Sequence, residues 1–241
     1  MIELRRHAIS MVFQDFALLP HLSVIENIAF PLRVRGMPRR EREARAEQMV
    51  AMVGLEGRQS YYPHELSGGQ QQRVGIARSL ATDPELWFLD EPFSALDPII
   101  RRDLQEELLR LQERLKKTII FITHDFDEAL RLASRIAIMK DGNIVQIGTP
   151  EELVLKPADS YVARFTSRVA LADVVRVGSV MSPTLVDDLS EALDTSLLVR
   201  EAARRVFELG RAMPVSEAGG RIVGSIGPQI IAPLLLARPA S

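Results

Sequence analysis

Two carboxylates that end an apolar run are the residues of this chain best suited to chemistry. Asp90 and Glu91 directly follow the apolar residues 86–89. Such a run is typical of a buried parallel strand that delivers its last residues to the carboxyl edge of a sheet. An aspartate placed there suits Mg²⁺, and the glutamate after it suits the polarisation of a water molecule. Taken alone, an acid pair of this kind is more often part of an ordinary ion pair.

A polar turn before a helix offers a second chemical feature. Leu66-Ser67-Gly68-Gly69-Gln70 precedes apolar residues at helical spacing. Ser67 is a good N-cap, and two glycines let the backbone come close to a ligand without a Cβ in the way. The N-terminus of a helix presents N–H groups and a positive dipole end, which suit a phosphate. A lone turn of this kind is only a loop before a helix, and its fixed distance to the acid pair favours the phosphate interpretation.

Further motifs follow at set places along the chain. The tetrapeptide at 94–97 ends in Asp97, the apolar run 118–123 ends at His124, and Gln14 stands near the start. With these residues the chain resembles the ATP-binding subunit of ABC transporters, from about residue 10 to about residue 165. The resemblance rests on six elements in the order that the family has.

The resemblance implies a role for each of these residues. The signature motif and the D-loop aspartate would contact nucleotide: Ser67, Gly68, Gly69, Gln70 and Asp97. The catalytic base, the switch histidine and the Q-loop glutamine would serve catalysis: Glu91, His124 and Gln14. Asp90, as the Walker B aspartate, and Gln14 would attend the metal. The implied cofactors are ATP and Mg²⁺, with each ATP held between two facing subunits.

The loop that binds the phosphates in this family is missing from the sequence. A complete subunit would open with strands and a Gly-x-x-x-x-Gly-Lys-Ser/Thr loop. The lysines of this chain are Lys116, Lys117, Lys140 and Lys156, and none follows a glycine. We therefore expect an N-terminally truncated subunit, with a genuine protein without a P-loop as the alternative. We expect the chain by itself to bind Mg-ATP very weakly and to have no meaningful turnover.

Strand-like and helix-like runs alternate along most of the chain, which predicts an α/β fold. The resemblance makes it an ABC-type P-loop NTPase fold without its N-terminal strands and P-loop, with a helical subdomain at about residues 15–80. We predict an ABC ATP-binding domain over residues 1–168. Sequence signals also predict a Ser23–Glu26 capping box, a charged helix over 38–54, a long helix over 98–117 and a hairpin turn at 140–143.

The pattern changes after about residue 168. The sequence predicts a strand–helix–strand–turn–strand order. The first strand is expected at 177–183, an amphipathic helix over 198–209, and two more strands on either side of Gly219-Gly220. This order is similar to one CBS motif, so we predict a small α+β CBS-like regulatory region over 169–241. The end of the chain, from Ala232, has the composition of a poorly ordered tail.

Composition narrows the class of protein. Cys is absent, which excludes disulfides, thiol catalysis and Cys-ligated metals. The net charge of −2 gives no case for bulk nucleic-acid binding. No apolar run approaches the ~18 residues of a membrane span. The resemblance implies a homodimer with a second ATP-binding subunit, transmembrane permease partners, an indirect link to a solute-binding protein, and a peripheral place on the cytoplasmic face of the inner (plasma) membrane.

The transported solute is suggested only by subfamily resemblance. Residues 93–101 together with the CBS-like tail resemble the glycine betaine/proline (quaternary amine) importers, which are powered by ATP hydrolysis. Importers of histidine or another amino acid are the alternative, as is a non-catalytic regulatory partner of an intact ABC ATPase. Apolar residues after Gln14, at Phe16, Leu18, Leu19 and Leu22, fit either a contact with the permease or core packing.

Overall fold

The structure is a computed structural model that describes residues 8–167, 169–186 and 191–236. The chain forms two compact units, Met1–Asp125 and Phe126–Ser241. The domain boundary predicted at residue 168 stays a prediction.

A parallel three-stranded sheet lies at the centre of the first unit. Its strands are β1 (Ile9–Val12), β2 (Leu86–Asp90) and β3 (Thr118–Ile122), in that order. Because the strands are parallel, their carboxyl ends lie at one edge, where Asp90 ends β2. The parallel strand predicted to end in the acid pair is confirmed.

Four helices and a short 3-10 turn complete the first unit. The helices are α1 (Val24–Val34), α2 (Arg39–Met52), α3 (Gly68–Ala81) and α4 (Pro98–Leu115), and the 3-10 turn is Pro63–Glu65. The charged helix and the long helix are thus confirmed, as is the Ser23–Glu26 capping box at the start of α1. The apolar residues of the turn after Gln14 are half-buried, which leaves both interpretations of them open.

Packing fixes β2 in the sheet through one of its faces. Side chains alternate along a strand, and Trp87 and Leu89 are almost fully buried while Phe88 between them is half-buried. The indole Nε1 of Trp87 donates a hydrogen bond to Ser79 Oγ on α3 at 2.9 Å. The strand that carries the acids is therefore held by the most completely buried aromatic side chain of this unit.

The second unit begins with a hairpin and short helices. Its first elements are α5 (Phe126–Leu132), β4 (Ile136–Lys140), β5 (Asn143–Gly148), α6 (Pro150–Leu155) and α7 (Ser160–Thr166). The predicted hairpin is confirmed. Asp141 and Gly142, at its tip, both have positive φ, as the two-residue turns that suit antiparallel strands require.

The rest of the second unit contains a mixed three-stranded sheet. After a 3-10 turn at Leu171–Asp173 come α8 (Val177–Val180), β6 (Leu193–Asp194), α9 (Val199–Leu209), β7 (Met213–Ser216), β8 (Ile222–Ile226) and α10 (Pro228–Leu236). β6 is parallel to β7, and β7 is antiparallel to β8. Buried apolar side chains from α9, β7, β8 and α10 share one core.

Two predictions for this part of the chain are wrong. The stretch 177–183 opens with the single helical turn α8 instead of a strand, and a hydrogen bond from the Met181 N–H to the Val177 carbonyl at 2.9 Å closes this turn. The first strand of the mixed sheet is instead β6. The predicted poorly ordered tail is helical over residues 232–236, since Ile231 of α10 is fully buried in the shared core. Residues 237–241 lie outside the described residues.

In the ranges that the structure describes, no helix combines the length and the apolar composition that a bilayer crossing needs.

Candidate active site

The acid pair sits where the polypeptide turns sharply after β2. Glu91 has a φ of 46°, in the left-handed region that residues other than glycine seldom occupy. Its N–H donates to the carbonyl of Ile122 on β3 at 2.9 Å, and Ser94 Oγ donates to its carbonyl at 3.0 Å. Main-chain and local hydrogen bonds therefore fix the backbone of Glu91 at the carboxyl edge of the sheet.

The histidine predicted for the same site contacts the glutamate. His124 Nδ1 lies 2.6 Å from Glu91 Oε2. At this distance the tautomer of His124 that carries its hydrogen on Nδ1 donates a hydrogen bond to the Glu91 carboxylate. The His124 side chain is 74% exposed and that of Glu91 is 24% exposed, so the pair faces solvent with the carboxylate the better shielded member. The structure therefore places these two residues side by side.

Gln14 lies at the same edge of the sheet. It follows β1, which pairs in parallel with β2, and its side chain is exposed. The turn after it has positive φ at both Phe16 and Ala17. The edge therefore collects Gln14, Asp90, Glu91 and His124, as the sequence predicts for residues that follow neighbouring parallel strands.

The glycine-rich turn opens α3 as predicted. Ser67 Oγ accepts a hydrogen bond from the Gln70 N–H at 3.3 Å, and Gln70 Oε1 accepts one from the Ser67 N–H at 3.0 Å. This reciprocal capping box engages the Gln70 side chain. The N–H groups of Gly68 and Gly69 fall in the first turn, where a helix offers no carbonyl partner, so they suit an anion.

Asp97 has a structural task at the start of α4. Its Oδ1 accepts hydrogen bonds from the N–H groups of Ile99 and Ile100, both at 3.1 Å, which makes it the N-cap. A Cβ on Gly69 would lie 2.7 Å from Ile100 Cγ2. The starts of α3 and α4 thus approach closely, and a side chain at position 69 would force Ile100 to shift.

Known proteins resemble this chain in sequence. The family described as ABC transporter matches residues 1–94. A trimethylamine N-oxide transport system ATP-binding protein of Pelagibacter ubique (strain HTCC1062) is 53% identical over 232 residues, which cover 96% of this chain and 68% of that protein. The chain belongs to the ATP-binding proteins of ABC transporters.

A second relative and two solved structures agree with this ABC transporter assignment. A glycine betaine transport ATP-binding protein of Bacillus subtilis (strain 168) is 54% identical over 179 residues, 74% of this chain and 43% of that protein. The structure of cbiO1 from Clostridium perfringens, part of the ABC transporter complex cbiONQ, has a TM-score of 0.59 and 31% identity over 65% of this chain and 62% of its own. A dimeric ATP-binding cassette in a post-hydrolysis state, bound to ADP and Pi, has a TM-score of 0.54 and 37% identity over 62% of this chain and 66% of its own.

These likenesses confirm the predicted fold class and enzyme class. The α/β fold is that of ABC ATPase domains, and the chain is an ABC-type ATPase of a family that couples ATP hydrolysis to transport. The likeness to quaternary-amine transport ATP-binding proteins is confirmed as well. The roles of the individual site residues and the CBS-like motif stay predictions.

The side chains at the sheet edge fit a magnesium ion that is shared with phosphates. Among the residues that the structure describes, no three His, Asp or Glu side chains gather into a metal site. Mg²⁺ is usually bound through one or two carboxylates together with phosphate oxygens and water, and does not require a cage of protein ligands. Asp90 and the Gln14 amide oxygen, at one edge, are donors of the kind that such a site uses.

One further residue of this region could not be predicted from the sequence. Arg78, on α3, donates hydrogen bonds to the main-chain carbonyls of Phe16 and Ala17. Its only signal in the sequence is a charge among the mostly apolar residues of the second half of α3. Nothing in the sequence points to partners so far away along the chain.

Proposed function

We propose that this chain is the ATP-binding subunit of an importer of methylated amines, of the class that includes trimethylamine N-oxide and glycine betaine. The observation that carries the proposal is the contact between Glu91 and His124 at the carboxyl edge of a parallel sheet, in a chain 53% and 54% identical to ATP-binding proteins of those two transport systems. The names of these relatives support the solute class, because no residue of an ATP-binding subunit touches the solute.

The chemistry that we assign to the edge is activation of water. Glu91 orients the attacking water and accepts its proton, and the contact with His124 restricts the rotation of the carboxylate. Asp90 and Gln14 would hold Mg²⁺, which supplies neutralisation of phosphate charge when it is bound. The rigid support from β3 and Ser94 fixes the Glu91 backbone, which favours positioning of the base.

The start of α3 forms the other half of the proposed machinery. Ser67, Gly68 and Gly69 would close on the phosphates of an ATP, with Gln70 holding the turn through the capping box. By the family's arrangement, this ATP belongs to the facing subunit of a head-to-tail homodimer. The dimeric cassette with ADP and Pi supports this arrangement. Asp97, as the N-cap of the neighbouring helix, would hold the loop at this interface.

The chain by itself should not be a competent ATPase. It has no Gly-x-x-x-x-Gly-Lys loop, so the phosphates would lack the lysine and the amides that usually hold them. We expect isothermal titration calorimetry of this chain with Mg-ATP to detect no binding at micromolar nucleotide concentrations. A micromolar dissociation constant would contradict this expectation.

Partners and place follow from the transporter family. We propose transmembrane permease subunits as direct partners, a solute-binding protein as an indirect one, and a peripheral position on the cytoplasmic face of the membrane. The C-terminal order β6–α9–β7–β8–α10 supports a CBS-like regulatory role for residues 169–241. Such a region would pair with its copy on the second subunit.

The decisive experiment introduces the substitution Glu91→Gln at the chromosomal locus of the source cells. The uptake of radiolabelled trimethylamine N-oxide and glycine betaine is then measured. We expect uptake of at least one solute to fall more than tenfold, because the base is lost while the shape of the side chain is kept. The matched control is Glu113→Gln, at an exposed position on α4. Unchanged uptake of both solutes in the Glu91 variant would overturn the proposal and favour a non-catalytic regulatory subunit.

A further inference from the structure

The turn that follows Gln14 has an unusual backbone. Phe16 and Ala17 have φ values of 57° and 46°. Two successive left-handed residues that are neither glycine nor asparagine are rare, because the Cβ then crowds the neighbouring carbonyl. Such a conformation persists only where the surroundings hold it. Local hydrogen bonds help, since the Phe16 N–H donates to the Phe13 carbonyl at 3.0 Å.

A side chain from α3 provides the further support. Arg78 Nη1 donates to the Ala17 carbonyl at 2.7 Å, and Nη2 donates to the Phe16 carbonyl at 2.8 Å. The planar guanidinium thus spans two adjacent carbonyls, a geometry that an ammonium group cannot reproduce. Burial lowers the pKa of the Arg78 guanidinium, and its two partners compensate for the lost solvation.

The helix that carries Arg78 also carries the glycine-rich turn. Ser67 caps the start of α3, and Arg78 lies in its last turn, so roughly 16 Å of continuous helix joins the two. The helix passes close to the same turn at Gly75, where a Cβ would lie 3.7 Å from the Phe16 carbonyl oxygen. A displacement of α3 would therefore act on the turn through the Arg78 hydrogen bonds.

We propose that Arg78 is a positioning residue that ties the turn carrying Gln14 to the helix carrying Ser67, Gly68 and Gly69, so that these two parts of the machinery move together. The meaning of this tie for ATP hydrolysis rests on the proposed function. The hydrogen bonds from Arg78 to this turn, which we call the tie, are a property of the chain and can be tested without nucleotide.

The first test measures the mobility of the turn. Because the chain has no Cys, a nitroxide on Asp15→Cys, at an exposed position, labels one place only. In the Arg78→Gln variant we expect the label to become markedly more mobile in its electron paramagnetic resonance spectrum. Amide exchange of residues 13–19 should rise at least tenfold while that of β2 stays unchanged. Arg78→Lys should restore part of the order, since one ammonium can serve one carbonyl at a time.

A matched control separates the tie from general stability. Arg35 has a pKa that burial lowers in the same way, and its Nη1 donates to the carbonyl of Thr82, the C-cap of α3, at 2.9 Å. Arg35→Gln should leave the label on the turn unchanged. The proposal is overturned if the turn stays rigid in Arg78→Gln, or if Arg35→Gln loosens it equally.

The second test asks whether Arg78 acts through Gln14. Uptake in source cells is compared for Arg78→Gln, Gln14→Ala and the double variant. We expect the double variant to be no worse than Gln14→Ala alone, because the tie has no effect once Gln14 is gone. If uptake in the double variant falls by the product of the two single losses, the proposed coupling is overturned. If Glu91→Gln leaves uptake unchanged, the proposed function fails by itself, and the label spectra still decide whether Arg78 holds the turn.

Discussion

Two turns at the same edge of the sheet both contain left-handed residues, but different contacts stabilise them. The turn after β1 places Phe16 and Ala17 at positive φ, and the turn after β2 places Glu91 there. Each follows a strand of the parallel sheet, and each presents a predicted site residue, Gln14 or Glu91. A left-handed non-glycine residue costs on the order of 1–2 kcal/mol, so both turns need support.

The supports come from different parts of the unit. Glu91 is bonded to Ile122 of the adjacent strand and to Ser94 of its own loop. The turn after β1 is bonded to Arg78, 62 and 61 positions further along the chain. The turn after β2 therefore belongs to the sheet, whereas the turn after β1 depends on a helix.

This difference suits the two residues that the turns carry. A general base needs a fixed geometry, which a sheet edge provides. In the proposed function Gln14 attends the metal, and the Arg78 hydrogen bonds would let its turn follow the helix that carries Ser67. If both proposals hold, similar strain in two neighbouring turns serves a fixed base in one case and a glutamine coupled to a helix in the other.

The largest expected effect tests the sheet that supports the Glu91 turn. Trp87→Ala removes a side chain that is fully buried on β2, and we expect it to lower the free energy of unfolding by about 3–5 kcal/mol. Urea unfolding followed by circular dichroism measures the change. Phe88→Ala, one residue along and half-buried, should cost less than half as much. Equal costs would mean that the sheet is not held mainly through the Trp87 face.

The next effect concerns the end of the loop that begins at Glu91. Asp97→Ala removes the N-cap of α4 and should lower the free energy of unfolding by about 1 kcal/mol. Asp97→Asn keeps a good capping group and should unfold like the original chain. If Asp97→Asn retains stability but abolishes solute uptake, Asp97 has a role at the nucleotide beyond its cap. If Asp97→Ala leaves the free energy of unfolding unchanged, the N-cap does not support this loop.

An effect of comparable size, confined to a shorter stretch of chain, is expected at the Glu91 turn itself. Ser94→Ala deletes the 3.0 Å hydrogen bond to the Glu91 carbonyl, which is worth about 0.5–1.5 kcal/mol. Because β3 still holds the Glu91 N–H, amide exchange should increase only within the loop after β2. Exchange that spreads to the turn after β1 would show that the two turns are not supported separately.

The smallest effect has the opposite sign. Ala17→Gly relieves a left-handed residue that is exposed, and after the entropy cost of glycine we expect stabilisation of up to about 1 kcal/mol. In the Ala17→Gly background, Arg78→Gln should cost less than in the original chain, as measured by urea unfolding. An unaltered cost would mean that Arg78 does not compensate for strain in this turn.

The sequence predicted the local elements well because local signals specify them. Ser23 with Glu26 and Ser67 before Gly68 are helix starts that short-range hydrogen bonds determine. The alternation of apolar runs and acids placed β2 and its carboxylates at a sheet edge. The error at 177–183 arose where a distant residue, Thr195, provides the partner for the Gly178 N–H.

The sequence by itself determined the family, the helix starts and the side chains gathered at the edge of the sheet, because residue types at fixed spacing carry that information. Only the tertiary structure decided that Glu91 and His124 touch, that Gly69 packs against Ile100 and that Arg78 holds the turn after Gln14. These contacts join residues far apart along the chain. Their geometry depends on how strands and helices pack, which no local pattern records.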